Sequence, residues 1–149
     1  MRASSIIAII LPLLLIHLPV SCQEINGSEL KAADVIKSDI NNDGDTDGWS
    51  YVMDGYVERQ EIDMNFDGRV DSVFMYERDG RVKEELLDTN YDGKMDNWRF
   101  YVNGEVVRDS IDSDFDGKID LWFFIDRGRI YKMEEDTDGD GEPDNATTY

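Results

Sequence analysis

Histidine and cysteine are nearly missing from this sequence: 149 residues hold one of each, and only three prolines. Both His17 and Cys22 lie in the first 22 residues. Beyond them there is no imidazole, no thiol and no means of forming an internal disulfide. That removes the commonest nucleophile–base pairs and the usual nitrogen and sulfur ligands for metals. No glycine-rich phosphate loop precedes a helical pattern. Positive charge is also scarce, with 15 basic residues against 34 acidic and a formal charge of −19. Such a surface is a poor partner for nucleic acid or anionic lipid. A membrane-length apolar run is lacking too, because Ile6 to Val20 is interrupted by Pro12, His17 and Pro19.

What the chain has instead is a repeat. The pattern D-x-[ND]-x-D-G-x-x-D occurs five times, starting at Asp39, Asp63, Asp88, Asp112 and Asp136, so its first Asp returns after 24, 25, 24 and 24 residues. Constant spacing of this length marks a repeat architecture. One such segment is often only a polar turn, since Asp, Asn and Gly each favour turns. Five with acid at positions one, five and nine need a different reason. Like charges ~4 Å apart repel by about 4 kcal/mol at an effective dielectric of ~20, so each loop calls for a cation.

Calcium fits the donor set. It takes six to eight hard oxygen ligands at roughly 2.3–2.6 Å in a tolerant geometry. Oxygens at positions one, three and five converge, and glycine at position six permits the turn that points the seventh carbonyl inward. The candidate ligands are Asp39, Asn41, Asp43 and Asp47; Asp63, Asn65, Asp67 and Asp71; Asp88, Asn90, Asp92 and Asp96; Asp112, Asp114, Asp116 and Asp120; and Asp136, Asp138, Asp140 and Asp144. Up to five Ca²⁺ are expected, which would offset ten of the nineteen negative charges. The first half of each loop resembles an EF-hand. The closing Glu of an EF-hand is absent, because position twelve holds Ser50, Phe74, Arg99, Phe123 and Thr147. An Asp at position nine resembles the loops of FG-GAP repeats and, more loosely, of dockerin and thrombospondin type 3 repeats. That resemblance implies ligand roles and a loop joining two β-strands. It covers about nine residues per repeat and does not extend to the propeller fold.

Between the loops the pattern is β-hairpin. Trp49–Met53, Val73–Glu77, Trp98–Val102 and Leu121–Ile125 are aromatic and β-branched. Turns follow at Asp54-Gly55, Asp79-Gly80, Asn103-Gly104 and Arg127-Gly128. Two-residue turns set Val52 opposite Val57, Tyr101 opposite Val106 and Ile125 opposite Ile130. The second repeat is longer by one residue, and a three-residue turn with Gly80 left-handed sets Tyr76 opposite Val82. Trp49, Trp98, Trp122 and Val73 then occupy the other face. The predicted fold is all-β: tandem hairpin repeats of ~24 residues forming an antiparallel meander of eight strands, with acidic loops and glycine turns on opposite edges. Both faces carry apolar side chains, so some cover is expected, from curling or from the N-terminal segment. The first and last loops depart from the pattern at positions four and eight. The last, with only Asn145 to Tyr149 after it, is expected to be the least complete site.

Three segments are predicted: residues 1–22, a signal peptide; 23–38, a tether in which Ser28 caps a short helix reaching Lys37; and 39–149, the calcium-binding repeat domain. Two cleavage readings stand. Leu18-Pro-Val-Ser-Cys22 resembles a bacterial lipobox, which implies that Cys22 is lipidated; ordinary cleavage after Cys22 would remove it. The lone cysteine's position favours the lipobox. Either way the protein leaves the cytoplasm, secreted, periplasmic or anchored to the cell envelope, and meets a membrane only through such an anchor. Asn26 and Asn145 head glycosylation triplets that matter only in a eukaryotic secretory route. Paired carboxylates suffice for a glycosidase, but here every regular pair is a ligand pair, so no enzyme is expected. Two functions remain: a calcium-stabilised structural or adhesive module, and a surface module whose aromatic sheet face binds a protein or glycan partner.

Overall fold

The computed structural model describes residues 34–149. The predicted signal peptide, Cys22, the Ser28 cap and residues 23–33 of the tether lie outside them. The chain forms one ten-stranded antiparallel sheet in sequence order: β1 (Asp34–Ser38), β2 (Gly48–Met53), β3 (Tyr56–Ile62), β4 (Ser72–Tyr76), β5 (Val82–Leu87), β6 (Asn97–Val102), β7 (Glu105–Ile111), β8 (Leu121–Asp126), β9 (Arg129–Glu135) and β10 (Asn145–Thr148). No helix occurs among the described residues. The sheet is open, with β1 and β10 at its edges.

Two expectations change at those edges. Residues 34–37, read as the end of a short helix, instead form β1 and pair with β2 from Asp34↔Val52 to Ser38↔Gly48. The β-branched pair Val35 and Ile36 suits a strand, and an open neighbour offers backbone partners that an isolated short helix lacks. At the other end Asn145–Thr148 is not a loose tail but pairs with β9. The strand count among the described residues is therefore ten rather than eight.

The turns follow the predicted chemistry. Asp54, Asn103 and Arg127 take φ of 51°, 54° and 48°, each followed by a left-handed glycine, as two-residue hairpins require. Val52 meets Val57, Tyr101 meets Val106, and Ile125 meets Ile130. The longer turn closes with the Gly80 N–H donating to the Glu77 carbonyl at 2.9 Å, and Tyr76 meets Val82. One feature was not legible. Every hairpin slips register next to its turn, leaving Glu58, Lys83, Val107 and Tyr131 as unpaired extra residues. These are β-bulges, which add right-handed twist.

No second layer covers the sheet among the described residues; residues 23–33 of the N-terminal segment expected to supply cover lie outside them. Only Val52, Val73 and Tyr76 are buried apolar side chains, whereas ten polar ones are buried. Cross-strand rows hold the faces together instead. One row runs Tyr51, Arg59, Met75, Glu84, Phe100, Arg108, Phe124, Lys132. In it Arg108 lies 4.0 Å from the Phe100 ring centre, Lys132 4.9 Å from Phe124, and Arg59 5.6 Å from Tyr51. Neighbouring cations and rings attract by about 0.5–1 kcal/mol at such exposed sites. On the opposite face Glu85 accepts from Arg99 at 2.9 Å and from the Tyr101 hydroxyl at 2.7 Å. Burial, aided by the Glu85 charge, pushes the Tyr76 phenol up to about 12. Trp49, Trp98 and Trp122 share the first face near the loop edge, all half-buried.

Arg127 is the one turn residue poorly suited to its left-handed backbone, which costs an ordinary L residue about 1–2 kcal/mol. Arg127→Asn should therefore stabilise the fold by roughly 0.5–1 kcal/mol, raising the thermal midpoint by several degrees; an unchanged or lower midpoint in a calorimetric scan would count against the assigned turn.

Candidate metal centre

All five acidic loops lie on one edge of the sheet, at every second strand junction, and so recur about 9–10 Å apart. Each is wound around its own carboxylates. The position-one Asp accepts from the glycine N–H with its second oxygen, at 2.9, 2.7, 2.7, 2.8 and 2.6 Å along the five loops. The position-nine Asp accepts from the N–H of position two, at 2.8, 2.8, 2.8, 2.6 and 3.0 Å. The hydroxyls of Thr89, Ser113 and Thr137 add a further bond to Asp96, Asp120 and Asp144. The position-five Asp accepts from the N–H of position seven at 2.8–3.0 Å. This winding explains the glycine, whose φ lies between 89° and 104° in all five loops. It also forces position four left-handed. The end loops place Asn42 and Gly139 there, but the middle three place Phe66, Tyr91 and Phe115, at φ 63°, 63° and 64°.

The loops also bond to each other. The position-one N–H of every loop after the first donates to the position-nine carbonyl of the loop before it: Asp63 to Asp47, Asp88 to Asp71, Asp112 to Asp96 and Asp136 to Asp120, at 2.8–2.9 Å. Arg69 reaches the Asp92 carbonyl at 3.1 Å, and Lys118 reaches that of Gly139, each bridging to the next loop. Stacking buries the stacked carboxylates: Asp63, Asp71, Asp96 and Asp112 are each 2 % exposed. It also explains the ends. Asp39, with no loop stacked before it, and Asp144, with none stacked after it, are both exposed.

Carboxylate oxygens gather within 4.8 Å of one another in four loops, as Asp63, Asp67 and Asp71; Asp88, Asp92 and Asp96; Asp112, Asp114 and Asp120; and Asp136, Asp138 and Asp144. These triads are close enough to hold a metal ion. The first loop brings Asp39, Asp43 and Asp47 into no such group, and Asp116 and Asp140 stand outside the triads of their loops. The last loop, expected to be the least complete, gathers three carboxylates. Asn41, Asn65 and Asn90 point their amide oxygens at the position-five N–H, as a position-three ligand would. The burial of position one was missed in the sequence. Its only trace there is the constant spacing that lets successive loops stack.

Electrostatics at the last loop follow from the same bonds. Burial pushes the Asp136 carboxyl up, but N–H groups from Gly141, Gly139, Asp138 and Asp140 together outweigh it and leave it below the ordinary range. Asp144 is lowered mainly by the Thr137 hydroxyl and then by the Thr137 N–H. Asp43 is lowered by the Asp45 N–H and by Asn41.

No protein family matches the chain, and a search of characterised proteins finds no relative. Among solved structures, a chain in the crystal structure of accessory secretory protein 1, 2 and 3 in Streptococcus pneumoniae superposes with a TM-score of 0.52 at 11% identity. The match covers 70% of this chain and 19% of that one. At that identity the likeness concerns the fold alone. Fold and site together define a class: an open antiparallel meander with a column of stacked acidic loops along one edge.

A carboxyl held below its usual pKa stabilises the fold fully above that ordinary value, near 3.8, and the gain is lost as pH falls through the lowered one. In metal-free buffer, at a temperature low enough to keep the sheet folded by circular dichroism, Thr137→Val should raise the Asp144 pKa towards 3.8 and shift the onset of acid unfolding to higher pH. An NMR titration that finds Asp144 unmoved would show that the hydroxyl bond does not form.

Proposed function

We propose that this is an extracytoplasmic calcium-binding repeat protein in which Ca²⁺ ions in the acidic loops stabilise a structural or adhesive β-module. The observation that carries the reading is the gathering of three carboxylates within 4.8 Å in four stacked loops, with the position-one Asp buried in each. The donors are carboxylate, amide and carbonyl oxygens, the set a hard cation takes and a softer metal does not favour. Asp63, Asp67 and Asp71, with Asn65 and the Arg69 carbonyl, would hold one ion; the Asp88 loop repeats the arrangement, the Asp112 and Asp136 loops gather the position-three Asp (Asp114, Asp138) in place of position five, and Asp39, Asn41, Asp43 and Asp47 would supply a fifth, weaker site. The ion would neutralise like charges that stacking holds together. At ~1 mM calcium and a site Kd near 10 μM, each site adds about 2.7 kcal/mol, enough to decide folding for a sheet with so few buried apolar groups. The metal's role is structural and the protein is not an enzyme: the carboxylates that gather in four loops are best used as ligands to an ion. Loops resembling those of FG-GAP and thrombospondin type 3 repeats fit the same role, as does the apolar leader ending at Cys22, which implies a secreted or lipid-anchored protein.

A second reading, a surface module that binds a protein or glycan, draws support from the aromatics in the loops. Phe66, Tyr91 and Phe115 are 43–47 % exposed, and each sits in a left-handed conformation that bulky residues avoid. Asn42 and Gly139 hold the same position in the end loops without that strain. Folding alone does not call for a row of strained, exposed rings.

Thermal unfolding should rise by tens of degrees between excess chelator and millimolar calcium. Asp67→Ala and Asp92→Ala should each lower bound calcium by about one ion. Equal midpoints in the two buffers, or unchanged stoichiometry by titration calorimetry, would remove the metal reading. Replacing Phe66, Tyr91 and Phe115 together by Asn should leave the calcium-loaded fold at least as stable. If cell-surface or glycan adhesion measured with the parent protein persists in that variant, the binding-edge reading fails.

A further inference from the structure

We propose that the two open edges of the sheet are made for each other, so that β10 of one copy pairs with β1 of the next and the sheet continues head to tail between molecules. The inference is independent of which metal fills the loops.

The repeat unit is a loop followed by a hairpin. β10 follows the fifth loop and so stands where β2, β4, β6 and β8 stand, as the first strand of a hairpin. β1 precedes the first loop and stands where β3, β5, β7 and β9 stand, as a second strand. Among the described residues, each lacks its hairpin mate. A ten-strand meander makes β10 of one molecule run antiparallel to β1 of another laid beside it. Copying the internal register, in which Gly48 meets Ile62 and Asn97 meets Ile111, sets Asn145 opposite the second copy's Ser38, Ala146 opposite Lys37, Thr147 opposite Ile36 and Thr148 opposite Val35.

The backbone is poised for this. The Tyr149 N–H donates to the Tyr131 carbonyl at 2.9 Å, so the alternation of an antiparallel ladder turns the N–H and C=O of Ala146 and Thr148 away from β9. The proposed register brings these against the outward groups of Lys37 and Val35. The loop column is unfinished in the same sense. Among the described residues, the position-nine carbonyl of Asp144 and the position-one N–H of Asp39, the two groups that join every pair of loops inside the molecule, have no backbone partner. The edges carry only part of the usual guard: β1 has Asp34 and Lys37, and β10 is four residues long. Both strands pair without a bulge, β10 is uncharged and free of proline, and Val35 and Ile36 are 42 % and 40 % exposed. Such a contact is heterologous and does not close on itself, so it builds chains of molecules. The interface is one strand wide, which places it in the weak class that forms at high concentration.

Sedimentation of the processed chain in millimolar calcium should give an average mass that rises with concentration from the micromolar to the millimolar range. Ala146→Pro removes one outward N–H and should return the protein to monomer, with circular dichroism and calcium stoichiometry unchanged. In a Cys22→Ser background, Ile36→Cys with Thr147→Cys should oxidise to a ladder of disulfide-linked multimers. A monomer at every concentration, an assembly indifferent to Ala146→Pro, or an intramolecular disulfide that closes the sheet on itself would each overturn the proposal. All are read on protein shown to be folded in calcium, so failure of the calcium reading is seen separately, as a thermal midpoint that chelator leaves unchanged.

Discussion

The structure depends on a backbone hydrogen bond repeated four times, from the first Asp of one loop to the last Asp of the loop before it. That bond fixes the distance between successive loops at two strands and draws their carboxylates out of solvent. Charge buried without a partner is expensive, and the loops answer this first with their own N–H groups. Each position-one and position-nine carboxylate is wrapped by amides of its own loop, so anionic side chains can be nearly inaccessible in a small domain. The same winding leaves three carboxylates facing one another in four loops. A divalent ion would relieve that repulsion.

An open sheet with no second layer among the described residues has little apolar interior to rely on. The residues that alternate along its strands explain how it holds. Rings lie beside guanidinium and ammonium groups on one face, and Glu85, Arg99 and Asp109 pair across strands on the other. Each such pair is worth only about 0.2–1 kcal/mol. Their sum rests on strict register, which the loops at one edge and the tight turns at the other enforce. The bulges beside the turns add twist at the edge that carries no loop column.

Backbone strain and partial exposure set position four apart from the rest of the loop edge. Position four must be left-handed because the loop winds that way, and Asn or Gly would fill it at little cost. Aromatic side chains there cost stability and face solvent. A sequence that breaks a local rule in this way commonly does so at functional sites.

By itself the sequence determined the repeat period, the hairpin turns and the register of their central pairs. These are set by glycine and asparagine chemistry and by alternation over a few residues, and both are local. It also named the loop residues that could share an ion, because ligand type and spacing lie within nine positions. The bulges, the strands β1 and β10, the single-layered sheet and the burial of the position-one aspartates were decided by tertiary structure. Each arises from contacts between segments about 24 residues apart or from the open edges, where a strand forms because a neighbour offers backbone partners. Asp39 and Asp63 carry the same local motif, yet one is exposed and the other buried. Only the presence of a preceding loop separates them, and no local pattern can state that.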